Sequence, residues 1–133
     1  MHERKPFHLL PTDIAGAFDR FDREQLRQRM KESGFPPHLM RVLEAYLTKR
    51  TFTVRISRMQ SDHYPLDVGV VQGSGLGPIM WNLYFSPVFD YTGDKGIGFA
   101  DDLNLITTDV TQLQENKQQL ESFCKAARIT VGP

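Results

Sequence analysis

The sequence predicts an α/β (α+β) domain, a mainly antiparallel sheet backed by helices. Three observations predict it. Thr51–Ser57 alternates with period two and is rich in branched residues, the pattern of a strand. Residues 97–100 and 103–107 are short apolar runs flanking Asp101-Asp102, a β-hairpin with two acids at its tip. Leu39, Val42, Leu43, Tyr46 and Leu47 recur at helical spacing.

The elements follow in order. Residues 6–12 form a short apolar strand running into Asp13, and their two prolines confine it to an edge or an irregular strand. Asp22 caps a helix over residues 23–33 that Gly34 ends. Pro36-Pro37 starts a second helix, because proline is tolerated in a first turn, and this helix runs to Arg50. After the strand at 51–57, residues 58–62 make a polar turn and 63–71 return as the second arm of a hairpin. Gly73, Gly75 and Gly77 punctuate a loop, and Pro78 opens an apolar helix over roughly 79–90 that Pro87 kinks or ends early. Asp109 caps a last helix to about Ala127, and Ile129–Val131 begins another strand.

The 133 residues suit one domain, with 40% apolar and 24% charged residues, both ordinary for a globular chain. Cys124 is the only cysteine, which excludes an internal disulfide and a cysteine-based metal site and makes a reducing compartment the expectation. No apolar run approaches a membrane span, and Met1–Lys5 lacks a secretory leader's apolar stretch, so an intracellular protein of cytoplasm or nucleus is expected. The net charge is zero but segregated. Residues 1–60 carry 12 Lys/Arg against 7 Asp/Glu, and residues 61–133 carry 4 against 9. A basic half suits a phosphate backbone and an acidic half suits metal ions, although segregated charge also arises from two solvated faces.

The chemistry concentrates in three places. In Phe99-Ala-Asp-Asp102, two adjacent carboxylates crowd a tight turn, and like charges repel unless a cation neutralises them. Because strand side chains alternate, the two acids cannot project identically, and such pairs also occur in plain solvated turns. Asp13 is a third carboxylate, at a strand end. Two-metal phosphoryl transfer needs ions roughly 3.5–4 Å apart bridged by carboxylates from separate elements. Asp19 competes for that role but sits at a helix start, where a negative charge stabilises the helix. The third place is Gly69–Pro78, where glycines let backbone approach a ligand and Gln72 offers both a donor and an acceptor.

Together these stretches resemble the reverse transcriptase family, and within it the non-LTR (LINE-type) retrotransposon branch more than group II intron maturases. Asp13-Ile-Ala-Gly-Ala-Phe-Asp19 is similar to the first polymerase motif. Gln72-Gly-Ser-Gly-Leu-Gly-Pro78 resembles the Pro-Gln-Gly-Ser-x-Leu-Gly-Pro motif, and Phe99–Asp102 the Tyr/Phe-Ala-Asp-Asp motif. Trp81-Asn-Leu-Tyr-Phe85 is similar to the helix that follows the glutamine loop. The resemblance implies a polymerase palm and RNA-directed DNA polymerase activity. By it, Asp13 and Asp101 bridge two Mg²⁺ ions, for which Mn²⁺ can substitute, and Asp102 completes the cluster. The Ile14 carbonyl is a minor ligand, Phe18 lies under the incoming sugar, and Gln72 and Gly73 contact nucleotide and template. The implied partners are an RNA template, a DNA primer and deoxynucleoside triphosphates, with no membrane. Arg20, Arg23, Arg27, Lys49 and Arg50 are candidates for nucleic-acid contact, or else cover solvated helix faces.

Val71 stands where the family has proline, Gly75 replaces an apolar residue, and Ser86-Pro87 replaces Asn-Asp. With 12 residues before Asp13, the expectation is a partial domain over 1–133: a palm core with little of the fingers, no thumb, and no pyrophosphate-side lysine. It belongs with the missing segments of a longer polyprotein and is weakly active or inactive alone. The alternative is a non-catalytic RNA- or DNA-binding remnant of a retrotransposon.

Overall fold

The computed structural model describes residues 6–20 and 22–132. The reading of Met1–Lys5 as lacking a leader lies outside them. Strand β1 (His8–Ala15) is followed by a single helical turn, α1 (Ala17–Arg20), then helices α2 (Arg23–Glu32) and α3 (Pro37–Leu47). Four two-residue strands form an arm: β2 (Thr51–Phe52), β3 (Arg55–Ile56), β4 (Met59–Gln60) and β5 (Tyr64–Pro65). Helices α4 (Gly77–Phe85) and α5 (Val88–Thr92) lead through a 3₁₀ turn to the hairpin of β6 (Gly96–Phe99) and β7 (Asp102–Thr107). Helix α6 (Val110–Ala126) and strand β8 (Thr130–Val131) close the chain.

The main sheet has the order β6-β7-β1-β8, with every neighbouring pair antiparallel. One face is buried. Ile14, Leu103, Leu105 and Thr107 point inward, against Met80, Trp81 and Tyr84 of α4 and Leu120 and Phe123 of α6. The alternating residues Asp13 and Asp102 lie on the open face, together with the exposed Leu9, Ile97 and Phe99. This is the α/β arrangement expected, and the period-two alternation of β7 is its clearest signature.

The helix caps form as the sequence indicates. The Asp22 carboxylate accepts from the N–H groups of Glu24 and Gln25 at 2.8 and 3.1 Å, and Asp109 accepts from Thr111 at 2.8 Å. Ser33 caps the end of α2, followed by Gly34 at φ +66°. Pro87 divides the apolar 79–90 segment into α4 and α5. Cys124 is buried on α6, and burial, with Glu121 nearby, pushes its thiol up to about 11.

Three expectations need correction. The first is the extent of β1, which runs two residues past Asp13 and gains a second neighbour, β8, only at Ile14 and Ala15, so its proline-bearing stretch is the edge expected. Its parity explains how proline is tolerated. The Gly132 N–H donates to the Asp13 carbonyl, and the Ile14 N–H donates to the Asp101 carbonyl on the β7 side. By alternation the nitrogen of Pro11 faces away from β7, along the stretch that β8, paired only with Ile14 and Ala15, leaves open. The second correction is α3, which ends at Leu47, so Arg50 lies outside it. The third is the hairpin expected from 51–57 and 63–71: its arms pair only at β2 with β5, and residues 55–60 make a second ladder, β3 with β4.

Candidate functional site

Antiparallel pairing of β1 with β7 puts Asp13 directly opposite Asp102. Residues so paired project from the same face, which here is the open one. Asp101 occupies the two-residue turn between β6 and β7, where Phe99 pairs with Asp102. Ala100, the first residue of that turn, takes φ +55°, a conformation that primed hairpin turns require and that L-residues adopt at a cost. The Trp81 indole N–H pins this turn by donating to the Ala100 carbonyl at 2.6 Å. The glycines of β6 serve the same packing: a Cβ on Gly98 would lie 2.9 Å from the Phe89 ring, and one on Gly96 would lie 2.4 Å from the Thr92 hydroxyl.

Asp101 is half-buried and lines a cavity of about 590 Å³. Phe18, Gln72, Gly73 and the rest of the glycine loop line it as well. The Phe18 ring leans on Trp81 with centroids 5.6 Å apart. Gly73 has φ +82° and nothing within 4 Å of a built Cβ, so its backbone faces open space. Ile14 has a buried side chain, and its carbonyl shares the Asp101 side of the strand with its N–H.

The structure thus brings Asp13 and Asp102 together in register, and gathers Asp101, Phe18, Gln72 and Gly73 around one cavity. It does not assemble the expected three-acid cluster. Among the described residues no group of three or more His, Cys, Asp or Glu stands close enough to hold a metal ion. The chemistry of the donor set still suits Mg²⁺, which takes few carboxylates and completes its shell with water and substrate phosphates.

The basic candidates divide. The Arg23 Nη2 donates to the Leu66 carbonyl at 2.6 Å, and burial, with the neighbouring Arg50, pulls its pKa below the ordinary arginine value. Arg27 pairs with Glu44 at 2.9 Å, joining α2 to α3. Arg50 donates to the Val68 and Gly69 carbonyls at 3.1 and 2.5 Å. Arg23 and Arg50 thus serve backbone carbonyls, whereas Arg27 remains an exposed helix charge, as the sequence reading allows. The role of Asp19 was also missed: its carboxylate accepts from Gln72. The signal available for it was the acidic residue itself, six positions past Asp13, which helix-dipole reasoning explained too readily.

The whole chain, residues 1–133, matches the reverse transcriptase (RNA-dependent DNA polymerase) family. The chain belongs to that family. In Drosophila melanogaster it is 38% identical over 80 residues to the RNA-directed DNA polymerase from mobile element jockey, covering 60% of this chain and 9% of that protein. It is 30% identical over 135 residues to the probable RNA-directed DNA polymerase from transposon BS, covering 91% of this chain and 15% of the relative. The chain therefore spans a small part of the length of these relatives. Its fold is shared with Candida tropicalis telomerase at 16% identity. The TM-score is 0.72 for the apo form truncated from the C-terminal domain and 0.75 for the complex with a TWJ fragment of telomeric RNA. Each comparison covers 95% of this chain, against 31% and 25% of the telomerase chains. The expected reverse transcriptase domain of a LINE-type element, with an α/β palm, is borne out. Reverse transcriptases generally use divalent metal ions. No helix among the described residues is long and apolar enough to cross a membrane.

Proposed function

We propose that this chain is the palm of an RNA-directed DNA polymerase that extends a DNA primer on an RNA template. The observation that carries the reading is the register that sets Asp13 opposite Asp102 on the open face, with Asp101 lining the glutamine-loop cavity. In the reaction, the primer 3′-hydroxyl oxygen forms a bond to the α-phosphorus of a deoxynucleoside triphosphate. The bond to the bridging oxygen breaks, pyrophosphate leaves, and the hydroxyl proton passes to solvent.

Asp13, Asp101 and Asp102, with the Ile14 carbonyl, are the groups that would hold two Mg²⁺ ions, with Mn²⁺ as a substitute. Bound divalent cations supply neutralisation of phosphate charge and acidify the attacking hydroxyl. The chain's own contribution is positioning. Phe18, propped on Trp81, supports the sugar of the incoming nucleotide, and Gln72 and Gly73 meet the nucleotide and template along the cavity wall. The segments that grip triphosphate, primer and template more widely would come from the longer protein.

Primer extension on an RNA template with Mg²⁺ tests this reading. Synthesis by a reverse transcriptase carrying this domain should fall by at least about 10²–10³-fold with Asp13→Asn or Asp101→Asn. Synthesis that survives both substitutions would overturn the assignment. A second reading, a nucleic-acid-binding remnant without catalysis, is favoured by the lack of a three-acid cluster among the described residues and by the basic first half. Salt-dependent RNA binding that is indifferent to both substitutions, with no extension, would select it.

A further inference from the structure

Gln72 is exposed, and a free glutamine on an open loop samples many rotamers. Here its side chain is held. Its Nε2 donates to both carboxylate oxygens of Asp19, at 3.1 and 3.2 Å. A carboxylate only accepts, so only the amide nitrogen can face it, and the orientation of the carboxamide follows from chemistry. The other branch, the Oε1 acceptor, is left for whatever occupies the cavity that Gln72 lines.

The backbone beneath is held to the same place. The Val70 N–H donates to the Phe18 carbonyl at 2.8 Å. Gly69, at φ +63°, lies so close that an added Cβ would stand 2.5 Å from the Phe18 oxygen and 2.7 Å from the Asp19 carbonyl atoms. Behind it, Arg50 grips the Val68 and Gly69 carbonyls. The Asp19 N–H is itself bonded to Gly16 at 3.0 Å, so the carboxylate stands on a fixed turn.

We propose that Asp19 is a positioning residue. By taking the Gln72 amide it presents Gln72 Oε1 as a fixed acceptor to a hydrogen-bond donor of the bound nucleotide, with Gly69 and Arg50 setting the height of the loop. This rests on the nucleotide-binding reading above and assigns to Asp19 a part in it beyond helix-end charge.

The test has two arms on this chain. The first follows the side-chain amide resonances of Gln72 by NMR without nucleotide. Asp19→Ala should shift them toward free-glutamine positions, and Asp19→Asn, which keeps an acceptor, should shift them less. Resonances that Asp19→Ala leaves in place would overturn the proposal. The second arm titrates deoxynucleoside triphosphate with Mg²⁺ and reads Trp81, the sole tryptophan, which touches Phe18. Asp19→Ala should weaken binding about fivefold with Gln72 intact and less than about twofold beside Gln72→Ala, because a residue acting through another is non-additive with it. Equal losses in both backgrounds would overturn it. Wild-type protein that binds no nucleotide would count against the functional reading, while the first arm would still decide whether Asp19 orients Gln72.

Discussion

Two regions carry the same alternating sequence pattern and fold differently. In β7 the alternation separates buried Leu103, Leu105 and Thr107 from more exposed Asp102, Asn104 and Ile106, and the strand is continuous over six residues. In the arm, Thr51–Ser57 alternates as well, yet it breaks into two-residue strands, with Ser57 at φ +54°. The arm has no buried face: Ile56 is 71% exposed and Met59 80%. Alternation therefore specifies a long strand only where a helix layer covers one side, because burial is what fixes register. The catalytic candidates sit in the region where register is fixed, and the arm belongs to the part of the fold with little to hold it.

The contrast can be broken most sharply at the core. Leu105→Ala, at a fully buried position, should cost about 2–5 kcal/mol in denaturant unfolding, whereas Ile56→Ala in the arm should stay within about 0.5 kcal/mol. Equal losses would mean that the arm is as well packed as the sheet. Next in size is the cap of α2. Asp22 is partly desolvated, which alone would raise its pKa, but the Gln25 and Glu24 N–H groups and Arg128 outweigh this and hold it below 3.8. Its ionised form thus stabilises the fold at pH above about 3.8, and that contribution is lost as pH falls through the lower folded-state value. Asp22→Ala should cost about 1–2 kcal/mol near neutral pH, and its deficit against wild type should shrink in acid melts. The smallest effect is expected at the acidic turn. Trp81→Phe keeps most of the ring packing but removes the bond to Ala100, so a loss of about 1 kcal/mol is expected, with faster amide exchange at Asp101 and Asp102 than in β1.

Much of the site was legible because its signals are local. The Phe99–Asp102 turn, the glycine loop before Pro78 and the caps at Asp22 and Asp109 each depend on a few consecutive residues. The errors have one kind of cause. The first strand read as stopping at Asp13, and nothing local says that Ile14 and Ala15 continue it by pairing with β8. Asp19 read as a helix charge because its partner, Gln72, is 53 residues away. Arg50 read as a surface cation because the carbonyls it serves lie on a bend 18 and 19 residues on.

The sequence by itself determined the caps at Asp22 and Asp109, the acidic hairpin and membership of the reverse transcriptase family, since these signals are written in consecutive residues. Only the tertiary structure decided that Asp13 faces Asp102, that Asp101 turns instead toward the glutamine-loop cavity, and that Asp19 holds Gln72. Those are matters of register and approach, set by burying Ile14, Leu103 and Leu105 against α4 and α6, and they arise between residues far apart in the chain.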